Sequence, residues 1–130
     1  MLERLEKEVD ANPSDTLKIR EYAQFLSMAH QNEKALTQYE KILNIDPTRV
    51  DVLLSEGLIY YNSGNYDKAE EVTLKILEIN KNQLDAKFNL GTIAVAKGDA
   101  ERAREIWTEI VSEHPNTDAA KFAQEALESL

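Results

Sequence analysis

Few residues in this chain are equipped for chemistry, and none has a partner at useful spacing. The two histidines, His30 and His114, stand 84 positions apart. Both fall at expected helix ends, where a cation complements the dipole of the last turn. No His-Glu-x-x-His, phosphate loop or Gly-x-Ser-x-Gly occurs to supply a metal pair, a phosphate cradle or an activated nucleophile. Glu101, Glu105 and Glu109 form an acidic row at i, i+4 and i+8. A calcium or magnesium ion could use such oxygens, but an exposed helix face accounts for them better. Cysteine is absent, so disulfides and thiolate metal sites are excluded. The expectation is no catalytic residue, no metal and no cofactor.

Binding remains, and charge narrows what is bound. The 130 residues carry 24 acidic and 15 basic side chains, a formal net charge of −9. A nucleic-acid binder must neutralise phosphates with Lys and Arg, so this balance opposes that class and expects no nucleic acid. It equally disfavours an anionic membrane surface and favours a basic partner. No stretch approaches the length of a membrane span, so no direct membrane contact is expected from this segment. Met1-Leu2-Glu3-Arg4-Leu5 lacks the apolar core of a signal peptide.

The elements that must position any site follow a 34-residue ruler. Gly57 and Gly91 are one period apart, as are Gly64 and Gly98, Pro13 and Pro47, and the alanines Ala35, Ala69 and Ala103. Pro115 lies two periods beyond Pro47, with Lys81 in the skipped slot. A fixed period of this size marks a repeat architecture. Three units result, 16–49, 50–83 and 84–117, each two helices joined by a short turn. In the last unit Leu84, Phe88, Leu90 and Ile93 give one helix; Ala103, Ile106, Trp107, Ile110 and Val111 give the other. Gly98 is placed to end the first helix in a left-handed conformation and Asp99 to cap the second. Thr48 with Asp51 resembles a capping box, and Ser14 precedes the first unit's opening helix. Residues 1–15 form a half-unit helix over Leu2–Ala11, and residues 118–130 a capping helix. The predicted fold is a single all-α domain, a solenoid of seven helices.

Small residues carry the packing. Ala23, Gly57 and Gly91 mark a place where a neighbouring helix comes close, and a larger side chain there would overpack. Volumes also compensate: Leu26 goes with Tyr39, Tyr60 with Thr73, and Ala94 with Trp107. Departures gather in the middle unit, at Glu56, Thr73 and Lys81, where looser packing is expected.

These residues resemble the tetratricopeptide repeat over nearly the whole chain. The third unit offers Leu90, Gly91, Ala94, Ala103, Trp107 and Pro115. The second offers Leu53, Gly57, Tyr60 and Ala69, and the first Tyr22, Ala23, Leu26, Ala35, Tyr39 and Pro47. The resemblance implies a core role for Trp107 and a non-enzymatic protein-interaction scaffold, with a partner peptide or helix in a groove lined by the first helices. Carried over, that groove is Leu54, Leu58, Tyr61, Phe88, Asn89, Thr92, Val95 and Phe122, with Asp51 and Asp85 beside it. Glu21 flanks the same strip. Leu17, Arg20, Gln24, Met28 and Ser55 share the side.

Such a strip suits an apolar peptide with nearby Lys or Arg, although on these helices groove and core positions alternate, and both remain open for Leu58. The clamp with which related cochaperones hold a carboxylate tail maps to Arg20, Gln24, Ser55, Asp85 and Asn89, where Asp85 reverses a required charge. A narrower likeness, in Asn12-Pro13-x-Asp15 and in Ala103-x3-Trp107, is to tetratricopeptide domains of cytochrome c maturation proteins, which bind an apocytochrome helix. Alternatives are an accessory domain of a larger protein, attached to a catalytic domain or an anchor, and a self-assembling scaffold.

Overall fold

Helix-stopping residues recur at fixed positions, and the chain turns at each of them. A computed structural model describes Met1–Leu130 as eight α-helices with no strand. They are α1 (Leu2–Ala11), α2 (Thr16–Met28), α3 (Asn32–Ile45), α4 (Val50–Asn62), α5 (Tyr66–Ile79), α6 (Leu84–Ala96), α7 (Ala100–Glu113) and α8 (Asp118–Glu128). Eight replaces the expected seven. The pairs α2/α3, α4/α5 and α6/α7 account for six, and the breaks around Pro13 and Pro115 leave one separate helix at each end. Packing runs between successive helices from one end to the other, so the pairs stack as a solenoid.

Two kinds of stop alternate. Within each pair the chain reverses through a left-handed residue: Gly64 at φ 79°, Gly98 at φ 85° and, in the same register, His30 at φ 60°. The next amide then reaches back to close the helix, Gln31 to the Leu26 carbonyl at 2.9 Å, Asn65 to Tyr60 at 2.8 Å and Asp99 to Ala94 at 2.8 Å. Between pairs, Pro13, Pro47 and Pro115 each sit two residues past a helix end. Lys81 occupies that slot after α5, and there the Asn80 side chain stops the helix by accepting the Asn82 amide at 3.0 Å.

Capping corrects two expectations. Asp99 caps α7, accepting the Arg102 amide at 3.1 Å, and Asn65 does the same for α5 from Lys68. The cap of α2, however, is Asp15 rather than Ser14, with the Lys18 amide 3.2 Å from Oδ1. Thr48 and Asp51 form no capping box: the Thr48 hydroxyl donates to Asp46 at 2.7 Å, and α4 begins after Arg49 without a side-chain cap. Asp46 competes successfully because it is two residues away and already in turn geometry.

The buried side chains form three clusters. The first joins Leu5 and Val9 of α1 to Ile19, Leu26, Tyr39 and Ile42, and extends to Val52 and Ile59. The last joins Ala94, Ala103, Trp107 and Ile110 to Ala119, Ala120 and Ala123 of α8. The third, between them, is the small cluster Leu53, Val72, Ile76 and Ala86, with Ala69, Leu90 and Ile93 also buried nearby but outside it. Ala94 and Trp107 share a cluster, but the tightest approach to the indole is at Gly91. A Cβ added there would stand 2.6 Å from Trp107 Cε2 and 2.9 Å from Cδ1. Gly57 is different: an added Cβ would meet Thr73 and Val72 at an ordinary 3.9 Å.

Two polar groups are buried in the middle unit. Thr73, 4% exposed, is satisfied by donating to the Ala69 carbonyl at 2.7 Å. Glu56, 2% exposed, leaves Oε2 without a partner. Burial, and then the neighbouring Glu40, push its carboxyl up to about 8.

Candidate functional site

The first helices of the second and third pairs, with the separate last helix, supply the candidate residues. Asp51, Leu54, Leu58 and Tyr61 come from α4; Asp85, Phe88, Asn89, Thr92 and Val95 from α6; Phe122 from α8. None of the ten is buried. Leu58 is 61% exposed and Phe122 53%, so both side chains present apolar surface to solvent rather than to the core. For Leu58 this decides between the two positions that the helical pattern leaves open.

Two hollows bring most of the set together. Leu54, Leu58, Asp85, Phe88, Asn89 and Phe122 line one of ≈ 330 Å³, between α4, α6 and α8, with Ala119 at its floor. Leu54, Leu58, Tyr61, Asn89 and Thr92 line a second of ≈ 180 Å³, which runs inward between α4, α5 and α6. Val95 and Asp51 line neither. Phe88 anchors the wall: its ring stacks on Trp107 with centroids 5.7 Å apart and meets Phe122 edge-on at 6.4 Å. The Trp107 indole N–H donates to the Phe88 carbonyl at 3.1 Å, which fixes the indole across α6. On α8, Phe122 turns to the hollow while its neighbour Ala123 takes the core.

The acidic residues differ in what they can offer. Asp51 accepts two bonds from Arg49, each 2.9 Å, and lies 3.6 Å from Arg20. The hydrogen-bonded Arg49 guanidinium holds its carboxyl below the ordinary value. Its charge is therefore spent within the chain. Asp85 has no such ion pair and lies exposed at the rim of the larger hollow. Glu101, Glu105 and Glu109 do not converge; Glu109 instead accepts from Lys87 at 2.9 Å.

Sequence reasoning missed part of the lining. Ile76 and Ile93 wall the inner hollow. A third hollow of ≈ 600 Å³ involves Phe25, together with Gln24, Met28, Tyr39, Ser55 and Leu58. Phe25 shares a register position with Ile59 and Ile93, both buried, so the repeat pattern assigns it to the core and gives no signal of its half-exposed edge.

The fold has counterparts. Models of the tetratricopeptide repeat match residues 50–83 and 85–117, together half of the chain. A tetratricopeptide repeat protein from Parabacteroides merdae ATCC 43184 superposes with a TM-score of 0.83 at 23% identity, over 97% of this chain and 49% of its own. This chain thus spans about half the length of that protein. YrrB, a TPR protein with an unusual peptide-binding site, gives 0.71 at 24% identity, over 95% and 63%. The first TPR of Spaghetti (RPAP3), bound to the HSP90 peptide SRMEEVD, gives 0.73 at 18% identity, covering 88% of each chain. These identities speak to the fold. No curated protein sequence matches this one. With the 34-residue period, the paired helices and both matches in register, the chain belongs to the tetratricopeptide repeat family.

Proposed function

We propose that this chain is a protein-interaction scaffold without chemistry of its own, a single domain of three repeats (16–49, 50–83 and 84–117) flanked by a half-unit and a capping helix. It holds a peptide or helix of a partner protein between α4, α6 and α8. The observation that carries this is Leu58 and Phe122, both more than half exposed, facing one hollow with Phe88 between them and an unpaired Asp85 at its rim. Exposed apolar patches with a polar border mark interaction surfaces. The partner segment is apolar at its anchors and carries Lys or Arg to meet Asp85. That YrrB has a peptide-binding site and that the first TPR of Spaghetti holds a peptide supports the same use of the fold. An acidic tail such as SRMEEVD suits this groove poorly, because Arg20 already faces Asp51 and Asp85 would repel it.

Peptides selected from a displayed library against the chain test this. They should carry apolar anchors next to basic residues, and Leu58→Lys should lower their affinity at least tenfold, about 1.4 kcal/mol, with an unchanged helical spectrum and melting temperature. A folded Leu58→Lys variant that binds the same peptides as tightly as the parent overturns the proposed site. Self-association through this groove would instead show as a concentration-dependent mass in sedimentation, lost in the same variant. An accessory role in a larger protein, including apocytochrome binding, would use the same surface.

A further inference from the structure

The three repeats treat one position differently. Tyr39, Thr73 and Trp107 occupy the same register. Gly57 faces Thr73 and Gly91 faces Trp107, while Ala23, one period before Gly57, shares a buried cluster with Tyr39. In the first and third repeats an aromatic ring fills the space and is buried. In the third the ring needs Gly91, since any Cβ there would collide with the indole. In the middle repeat both partners are small. Gly57 keeps the clearance that an indole requires, yet Thr73 does not fill it. The result is the inner hollow of ≈ 180 Å³, lined by Gly57 and Thr73 and opening past Leu54 and Leu58 into the groove. A sealed apolar cavity of about 150 Å³ is large enough to take up benzene.

We infer that this hollow is a socket for one aromatic side chain of the partner, a tryptophan, inserted where Trp107 lies in the next repeat. The inference rests on the peptide-binding groove proposed above and names its anchor. Three features match an indole. The volume suits a ring, the walls include Leu54, Ile76 and Ile93, and one backbone carbonyl of α4 holds the register of the carbonyl that accepts the Trp107 N–H. The Phe88 carbonyl takes the Trp107 N–H, and the residue in register with Phe88 is Leu54, which receives no side-chain donor from within the chain. Asn89 and Thr92 border the mouth and would meet the peptide backbone. Large aromatic side chains in such pockets dominate peptide affinity.

The test uses indole and N-acetyl-tryptophanamide as probes, followed by amide chemical shifts of the intact chain. Saturable shifts at Gly57, Thr73 and Thr92 are expected. Thr73→Trp fills the socket from within, as Trp107 does over Gly91, and should abolish those shifts while raising the melting temperature. No saturable shift at these amides, or a folded Thr73→Trp variant that still shows it, overturns the socket. Independently of that variant, library-selected peptides should contain an aromatic residue whose replacement by alanine lowers affinity at least tenfold. Peptides that are lost on Leu58→Lys but have no such residue, and bind Thr73→Trp normally, leave the groove standing and overturn the socket. Indole entry without any groove-binding peptide overturns the tryptophan-anchor inference along with the groove.

Discussion

Glu56 and the two helix glycines are single residues whose surroundings make opposite demands. Glu56 holds the slot of Tyr22 and Leu90, so a carboxyl sits where the other repeats bury apolar atoms. Because its folded value, about 8, lies above the ordinary 4.5, the folded state retains a proton that the unfolded chain has already lost. Its contribution to stability is complete below the unfolded value and disappears as pH rises to 8. Across that window stability should fall by up to about 1.4 kcal/mol per pH unit. Glu56→Gln should flatten the slope, and Glu56→Leu should raise stability at pH 8 by about 1–3 kcal/mol by removing a buried unpaired group. Urea titrations of parent and variants at several pH values check this; parallel curves would mean the carboxyl is solvated. The glycines give a paired test. Gly57→Ala meets only ordinary contacts and should stabilise α4 by about 0.5–1 kcal/mol. Gly91→Ala drives a methyl into Trp107 and should cost about 1–3 kcal/mol. Equal effects from the two, measured by thermal melts, would contradict the difference in clearance.

At the scale of elements, helix ends were the most legible feature. Gly64, Gly98 and the three prolines announce their stops because left-handed backbone and a missing amide leave few alternatives. Caps were less so: Ser14 and Asp15 are both good caps, and only the backbone angles choose Asp15. The candidate strip was legible as a set of positions but not as a surface, since Leu58 could have faced either way along the same helical stripe and only its exposure places it outside the core. The inner hollow was hidden for another reason. It arises from two small residues, Gly57 and Thr73, which stand out singly as a close approach and as a departure from the repeat; the signal for a hollow lies in comparing the pair with Gly91 and Trp107 one period on. Caps also yield a prediction. Gln83 begins α6 at φ −74°, ψ 91°, nearly the angles of Asp15 at φ −83°, ψ 93°, but offers no side-chain bond. Gln83→Asp should therefore cap α6 as Asp15 caps α2 and add about 0.5–1 kcal/mol. An unchanged urea midpoint would show that the α6 amides gain nothing from the new carboxylate.

The whole molecule is built from two well-filled ends and a thin middle. The first cluster runs from Leu5 to Ile59 and the last from Ala94 to Ala123, while four residues, Leu53, Val72, Ile76 and Ala86, bridge them. That bridge also holds the open hollow and the unpaired Glu56 carboxyl. In stacked repeats stability is a sum of unit and interface terms, so damage at one end crosses the molecule only as well as the interfaces transmit it. Trp107 is the centre of the last cluster, touching Phe88 and closing over Gly91. Trp107→Ala should cost about 3–5 kcal/mol, and the loss should stay local. Amides of α6, α7 and α8 should exchange faster, while those of α1, α2 and α3 keep their protection, because their cluster shares no side chain with Trp107. Hydrogen exchange resolved by peptide mass spectrometry reads both halves at once. Uniform loss of protection from α1 to α8 would show one cooperative core, and the thin middle would then be a strong joint rather than a weak one.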